Sequence, residues 1–69
     1  MQQLEIKKFG TNKFGMWCIG TLTFDNFEYN GLFNLDKEYK LVEGSIYQVS
    51  NVRVRTDKKG ILRFTIVLK

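Results

Sequence analysis

Near the C-terminus the segment Lys58-Lys59-Gly60 separates two alternating runs and admits one register. A three-residue hairpin loop is a type I turn followed by a left-handed residue, and Gly60 stands where that residue belongs. Asp57 then faces Ile61, Thr56 faces Leu62, Arg55 faces Arg63, Val54 faces Phe64, Arg53 faces Thr65 and Val52 faces Ile66. Val52, Val54, Leu62, Phe64 and Ile66 share one side, a core face. Arg53, Arg55, Arg63 and Thr65 share the other. A four-residue loop would put Val54 opposite Arg63 and mix the two sides, which a half-buried ribbon resists strongly.

The register places Arg55 directly against Arg63, a pairing that is unfavourable by itself and that a polyanion on the same face would relieve. These residues and Arg53 are the only arginines of the chain, and Lys58 and Lys59 extend them at the tip. Residues 44–69 hold six Lys or Arg against one acid, while residues 1–43 hold five Lys against six acids. The net charge of +4 therefore arises in the C-terminal third, an asymmetry that suggests an anionic partner. The bland reading is a solvated hairpin face, since Lys and Arg commonly sit there.

Upstream, Leu4-Glu5-Ile6-Lys7 alternates as a first strand, which Lys8 and Phe9 break or extend. Gly10 to Gly15 reads as a turn. Met16 to Phe24 reads as a second strand, with Met16, Cys18, Leu22 and Phe24 on one face and Trp17, Ile19, Thr21 and Thr23 on the other. Gly20 suggests a bulge or sharp coil within it. A turn at Asp25-Asn26 pairs Phe24 with Phe27 and Leu22 with Tyr29, which leaves Asn30-Gly31 as a bulge. Leu35 to Glu43 fits either a short helical turn with Leu35, Tyr39 and Val42 on one side, or a strand over Glu38–Val42. Ile46 begins a long fourth strand with a bulge near Ser50-Asn51, and Ile61 to Leu68 forms the fifth. Short strands, mid-strand glycines and parity breaks together predict an all-β, five-stranded OB-like barrel, with room for one helical turn; an SH3-like barrel is the competitor.

At 69 residues the chain makes a single domain whose core supplies roughly 3–5 kcal/mol at most, so homodimerisation is an expectation. Cys18 is the only cysteine and histidine is absent, which argues against a disulfide within the chain or a zinc site. No cofactor and no small-molecule substrate is expected. No acid–base system, phosphate loop or activated nucleophile is visible, so the chain reads as a non-enzyme. Without a leader or a long apolar run, a cytoplasmic location away from membranes is expected.

Six Phe, three Tyr and one Trp are many for so short a chain. Phe24, Phe27, Phe33 and Phe64 are assigned to the core. Trp17 lies on the face opposite the apolar one, Phe14 lies in a loop beside Lys13, and Tyr29 is a wall residue; these three are the candidates to stack on bases. For Trp17 the alternative is packing against a neighbouring element or a second copy. Exposed rings interleaved with cations on a small barrel suit single-stranded nucleic acid, and no recognition helix for duplex is visible. Arg53, Arg55, Arg63, Lys58 and Lys59, with Lys13 as a lesser contributor, are the candidate phosphate ligands. The competing reading is a small inhibitor or adaptor that docks the basic hairpin on an acidic protein.

The segment Glu43-Gly44-Ser45-Ile46-Tyr47-Gln48-Val49, the basic strand after it, Lys59-Gly60-Ile61-Leu62 and the ending Val67-Leu68-Lys69 resemble the small single-stranded DNA-binding, helix-destabilising proteins of filamentous phages. The opening Leu4-Glu5-Ile6-Lys7 is similar to that family's start, and together these stretches span about half the chain. The resemblance implies a dimeric OB-fold that coats single strands during DNA replication, DNA rather than RNA, in a phage-infected host. Lys59 stands where that family carries an aromatic residue, and nothing between Lys7 and Trp17 is as long as its basic wing.

Overall fold

The computed structural model describes residues 2–69. Five strands, β1 (Gln2–Asn12), β2 (Gly15–Phe24), β3 (Phe27–Leu35), β4 (Ile46–Thr56) and β5 (Leu62–Leu68), close into a barrel in the order β1-β2-β3-β5-β4, with β4 pairing back on β1. The protein is thus all-β, an OB-like barrel. Among the described residues no helix is long and apolar enough to cross a membrane.

The β4–β5 register is the one the loop dictates, from Thr56 against Leu62 to Val52 against Ile66. Gly60 takes a φ of 79°, its N–H donates to the Asp57 carbonyl at 3.0 Å, and the Asp57 N–H donates to the Ile61 carbonyl at 3.0 Å. A register shift lies between Val49 and Asn51, so that Val49 and Val52 both face inward across the irregularity. Phe24 pairs with Phe27 across the Asp25-Asn26 turn, and Leu22 pairs with Tyr29.

Four expectations are corrected. First, Gly10 to Gly15 is not all turn: β1 extends through Lys8 and Phe9 to Asn12, and the turn shrinks to Lys13-Phe14. A register shift between Ile6 and Lys8 reverses the parity of β1, which lets Ile6 and Phe9 both reach the core and turns Gly10 outward. Second, the irregularity is opposite Gly20, but its extra residue is in β1, between Ile6 and Lys8, rather than in β2. A Cβ on Gly20 would come within 1.9 Å of the Glu5 carbonyl oxygen, so glycine there permits a close crossing of two backbones. Third, Asn30-Gly31 is no bulge, since pairing with β2 continues unbroken from Asn34 to Phe27.

Fourth, residues 36–45 form neither helix nor strand. Leu41 is buried while Val42 is 62% exposed, so an extended segment delivers Leu41 and Tyr39, rather than a helical face, to the barrel's end. Two tyrosine hydroxyls hold it there. Tyr39 Oη donates to Asp36 Oδ1 and accepts from the Leu68 N–H at 3.2 Å; Tyr47 Oη accepts from the Val42 N–H at 2.9 Å. Burial and the Asp36 hydrogen bond push the Tyr39 phenol above its usual range. This crossover is what allows β3 and β5 to pair in parallel at Asn34–Thr65 and Leu35–Ile66.

Leu4, Ile6, Cys18, Phe33 and Ile66 are fully enclosed at the centre of the core. Burial pushes the Cys18 thiol up to about 11, which makes it a small hydrophobe rather than a reactive group. The expected core face of the hairpin is only half realised. Ile66 is buried, but Val54 and Leu62 are 55% and 58% exposed, because the ribbon outruns the strands it packs against.

Candidate nucleic-acid interface

On the outer surface of β2, β3, β5 and β4 lies an open groove of about 920 Å³. Its floor is set by strand pairing. Gly10 pairs with Trp17, Trp17 with Asn34, Asn34 with Thr65 and Thr65 with Arg53, so one row of outward positions crosses every strand of the barrel. With neighbouring strands about 4.8 Å apart, Trp17 and Arg53 are separated by about 14 Å along this row.

The two walls differ in chemistry. Trp17, Ile19 and Leu32, from β2 and β3, make an apolar wall, with Ile19 41% and Leu32 52% exposed. Arg53, Arg55 and Arg63, from β4 and β5, make a cationic wall. Phe14 lines the same groove from the β1–β2 turn and is 85% exposed. Its N–H donates to Asn12 Oδ1 at 2.8 Å, which ties down the turn, and Lys13 Nζ lies 5.0 Å from its ring centroid. Sequence reasoning placed the arginines and Trp17 on outward faces. Closure of the barrel brings those faces side by side.

The Arg55–Arg63 opposition is present, and the chain relieves part of it itself. Arg63 Nε donates to Asp57 Oδ2 at 3.4 Å. Asp57 Oδ1 meanwhile accepts from the Lys59 and Ile61 N–H groups, both at 2.9 Å. The Ile61 bond, then the Lys59 bond and the Arg63 charge hold this carboxyl below its ordinary value of 3.8. Arg53 and Arg55 have no carboxylate partner among the described residues, so their guanidinium groups remain available to an incoming anion.

Other candidates lie elsewhere. Lys58 and Lys59 occupy the hairpin tip beyond the groove, and Lys13 stands at its opposite rim. Tyr29 is on the inward parity of β3, with its ring 5.7 Å from Phe33 and 5.5 Å from Phe64, so the sheet separates it from Trp17. Ile19, Leu32, Asn34 and Thr65 join the groove without having been singled out. The available signal was that Ile19 shares a face with Trp17 and Thr65 with the arginines.

The outer surface is also polarised along β2. Beyond Ile19, a second hollow of about 270 Å³ is lined by Thr21 and Thr23 together with Glu5 and Glu28. An anionic chain is therefore favoured over the Trp17 end and opposed over the Thr23 end. No protein-family model, curated protein or solved structure matches the chain.

Proposed function

We propose that this protein binds single-stranded nucleic acid, DNA in preference to RNA, along the groove between its two turns, and that it does so without catalysis. The observation that carries the reading is one concave surface with rings on one wall and two unengaged arginines on the other. Bases would lie against Trp17 and Phe14 with Ile19 and Leu32 beneath them, and the sugar-phosphate backbone would face Arg53 and Arg55. OB-type barrels that take oligonucleotides use the outer face of strands 2 and 3 with the loops after strands 1 and 4, and the groove lies between the corresponding loops here.

Titration with labelled oligo-dT at several salt concentrations tests this. Affinity should fall on a log–log plot with a slope of about −0.7 for each phosphate neutralised, and Trp17 fluorescence should be quenched on binding. A duplex of equal length should bind more weakly, and a matched RNA should report the sugar preference. No binding at low salt, or binding indifferent to salt, removes the proposal. Salt-sensitive binding with an unchanged Trp17 signal would favour the inhibitor or adaptor reading, with the cations serving an acidic protein. The proposal extends to a homodimer on the uncovered side of the hairpin, where Val54 and Leu62 are exposed. Sedimentation at rising concentration decides that point, and a monomer throughout would remove it.

A further inference from the structure

We propose that Gly10 is a positioning residue for Trp17, which it lets lie down on the outer wall as a fixed stacking platform; this rests on the nucleic-acid reading above. Glycine within a strand weakens it, so its presence calls for a reason. Positive φ accounts for Gly15, Gly44 and Gly60, and Gly10 is not among the glycines with that backbone. The reason lies across the ladder. A Cβ on Gly10 would stand 2.7 Å from Trp17 Cζ2, 3.0 Å from Cε2 and 3.3 Å from Nε1. The indole therefore occupies the space that a side chain at position 10 would fill.

The seat depends on the parity change in β1. Without the shift between Ile6 and Lys8, Gly10 would face inward and Phe9 outward, directly beside the tryptophan. With it, the indole rests on bare backbone at one end of the row Gly10–Trp17–Asn34–Thr65–Arg53. A half-buried ring held in this way loses little rotamer freedom when a base stacks on it, which favours binding. Gly31 makes a useful contrast on the inner face. There a Cβ would meet Tyr29 Cε1 at 2.9 Å, but Tyr29, itself 41% exposed, leans on Phe33 and Phe64. That contact lies on the other side of the sheet from the groove. The Gly10–Trp17 contact opens onto the groove.

The test compares Gly10→Ala, Trp17→Ala and the double variant, using polarisation of a labelled oligo-dT so that the readout does not depend on the tryptophan. The clash falls on the far end of a side chain that can swing away, so Gly10→Ala should fold and displace the indole. Expected results are a shifted Trp17 emission maximum in the ligand-free protein, an affinity loss of about tenfold, and a double variant that binds no more weakly than Trp17→Ala alone. An unshifted emission spectrum, a Gly10→Ala loss that persists in the Trp17→Ala background, or a Gly10→Ala chain that fails to fold would each overturn the proposal. The emission shift is read without ligand. It therefore judges the seat of the indole even if wild-type protein ignores oligo-dT, the outcome that would instead defeat the nucleic-acid reading.

Discussion

The β4–β5 ribbon carries one alternating pattern from end to end, yet its root and its tip have different surroundings. At the root, Val49, Ile66 and Leu68 are buried against β1 and the loop of residues 36–45. At the tip, Val54 and Leu62 have the same inward parity and remain more than half exposed. Alternation fixes which side of a sheet a residue faces; what lies on that side is fixed by how far the neighbouring strands extend. β5 pairs with β3 at only Asn34–Thr65 and Leu35–Ile66, so everything nearer the turn projects as a two-stranded arm. The root makes the barrel, and the arm carries Arg55 and Arg63 out to the groove's edge.

The largest expected effect separates these ends directly. Ile66→Ala empties a fully enclosed position and should cost about 2–5 kcal/mol, comparable to the whole stability of so small a core. Leu62→Ala removes a side chain that is 58% exposed and should change stability by about 0.5 kcal/mol or less. Urea unfolding followed by circular dichroism measures both. Equal losses would mean that the arm is packed as tightly as the root. Next in size is a contrast on the outer face. Arg53→Ala and Arg55→Ala, which take away unengaged guanidinium groups within the groove, should each weaken oligo-dT binding about tenfold at low salt and flatten the salt slope by about 0.7. Lys58→Ala and Lys59→Ala, at the tip, should each change affinity about twofold. A reversed order would move the ligand from the groove to the tip.

The turn chemistry was legible because local rules decide it. Gly60 and Asp57 determine the β4–β5 register from the sequence, and consistent faces select the Asp25-Asn26 turn over Asn30-Gly31. The outward placement of the three arginines and Trp17 follows from the same parity. What was not legible depends on contacts remote in sequence. Gly10 looked like turn material because glycine marks turns, whereas its role is set by an indole seven positions away across a hairpin. Leu35 to Glu43 fits a helical turn, through the spacing of Leu35, Tyr39 and Val42, as well as it fits a strand over Glu38–Val42, and it is neither. The hydroxyls of Tyr39 and Tyr47, bonded to Leu68 and Val42 backbone amides, hold it extended instead. Parallel pairing of β3 with β5, which joins the ring-bearing face to the arginine-bearing one, has no local signature at all.

The smallest expected effect concerns the tip alone. Asp57 has its carboxyl pKa lowered, first by the Ile61 N–H, then by the Lys59 N–H and the Arg63 guanidinium, so the fold favours the charged form. Its contribution to the turn is therefore present above the unfolded-state pKa of about 3.9 and is lost as pH falls through the lower folded value. The Lys59 and Ile61 amides both donate to Oδ1, so their NMR shifts should titrate together with one midpoint below 3.8. In Arg63→Ala that midpoint should rise only part of the way back, because the leading cause is a backbone bond that the substitution leaves in place. In Asp57→Asn the shared titration should vanish, while Gly60 still closes the loop through the Asp57 carbonyl. A complete return to 3.8 in Arg63→Ala would show that the ion pair, rather than the turn, holds the carboxylate. The arginine would then be committed to the hairpin and withdrawn from the cationic wall, leaving Arg53 and Arg55 as the groove's working charges.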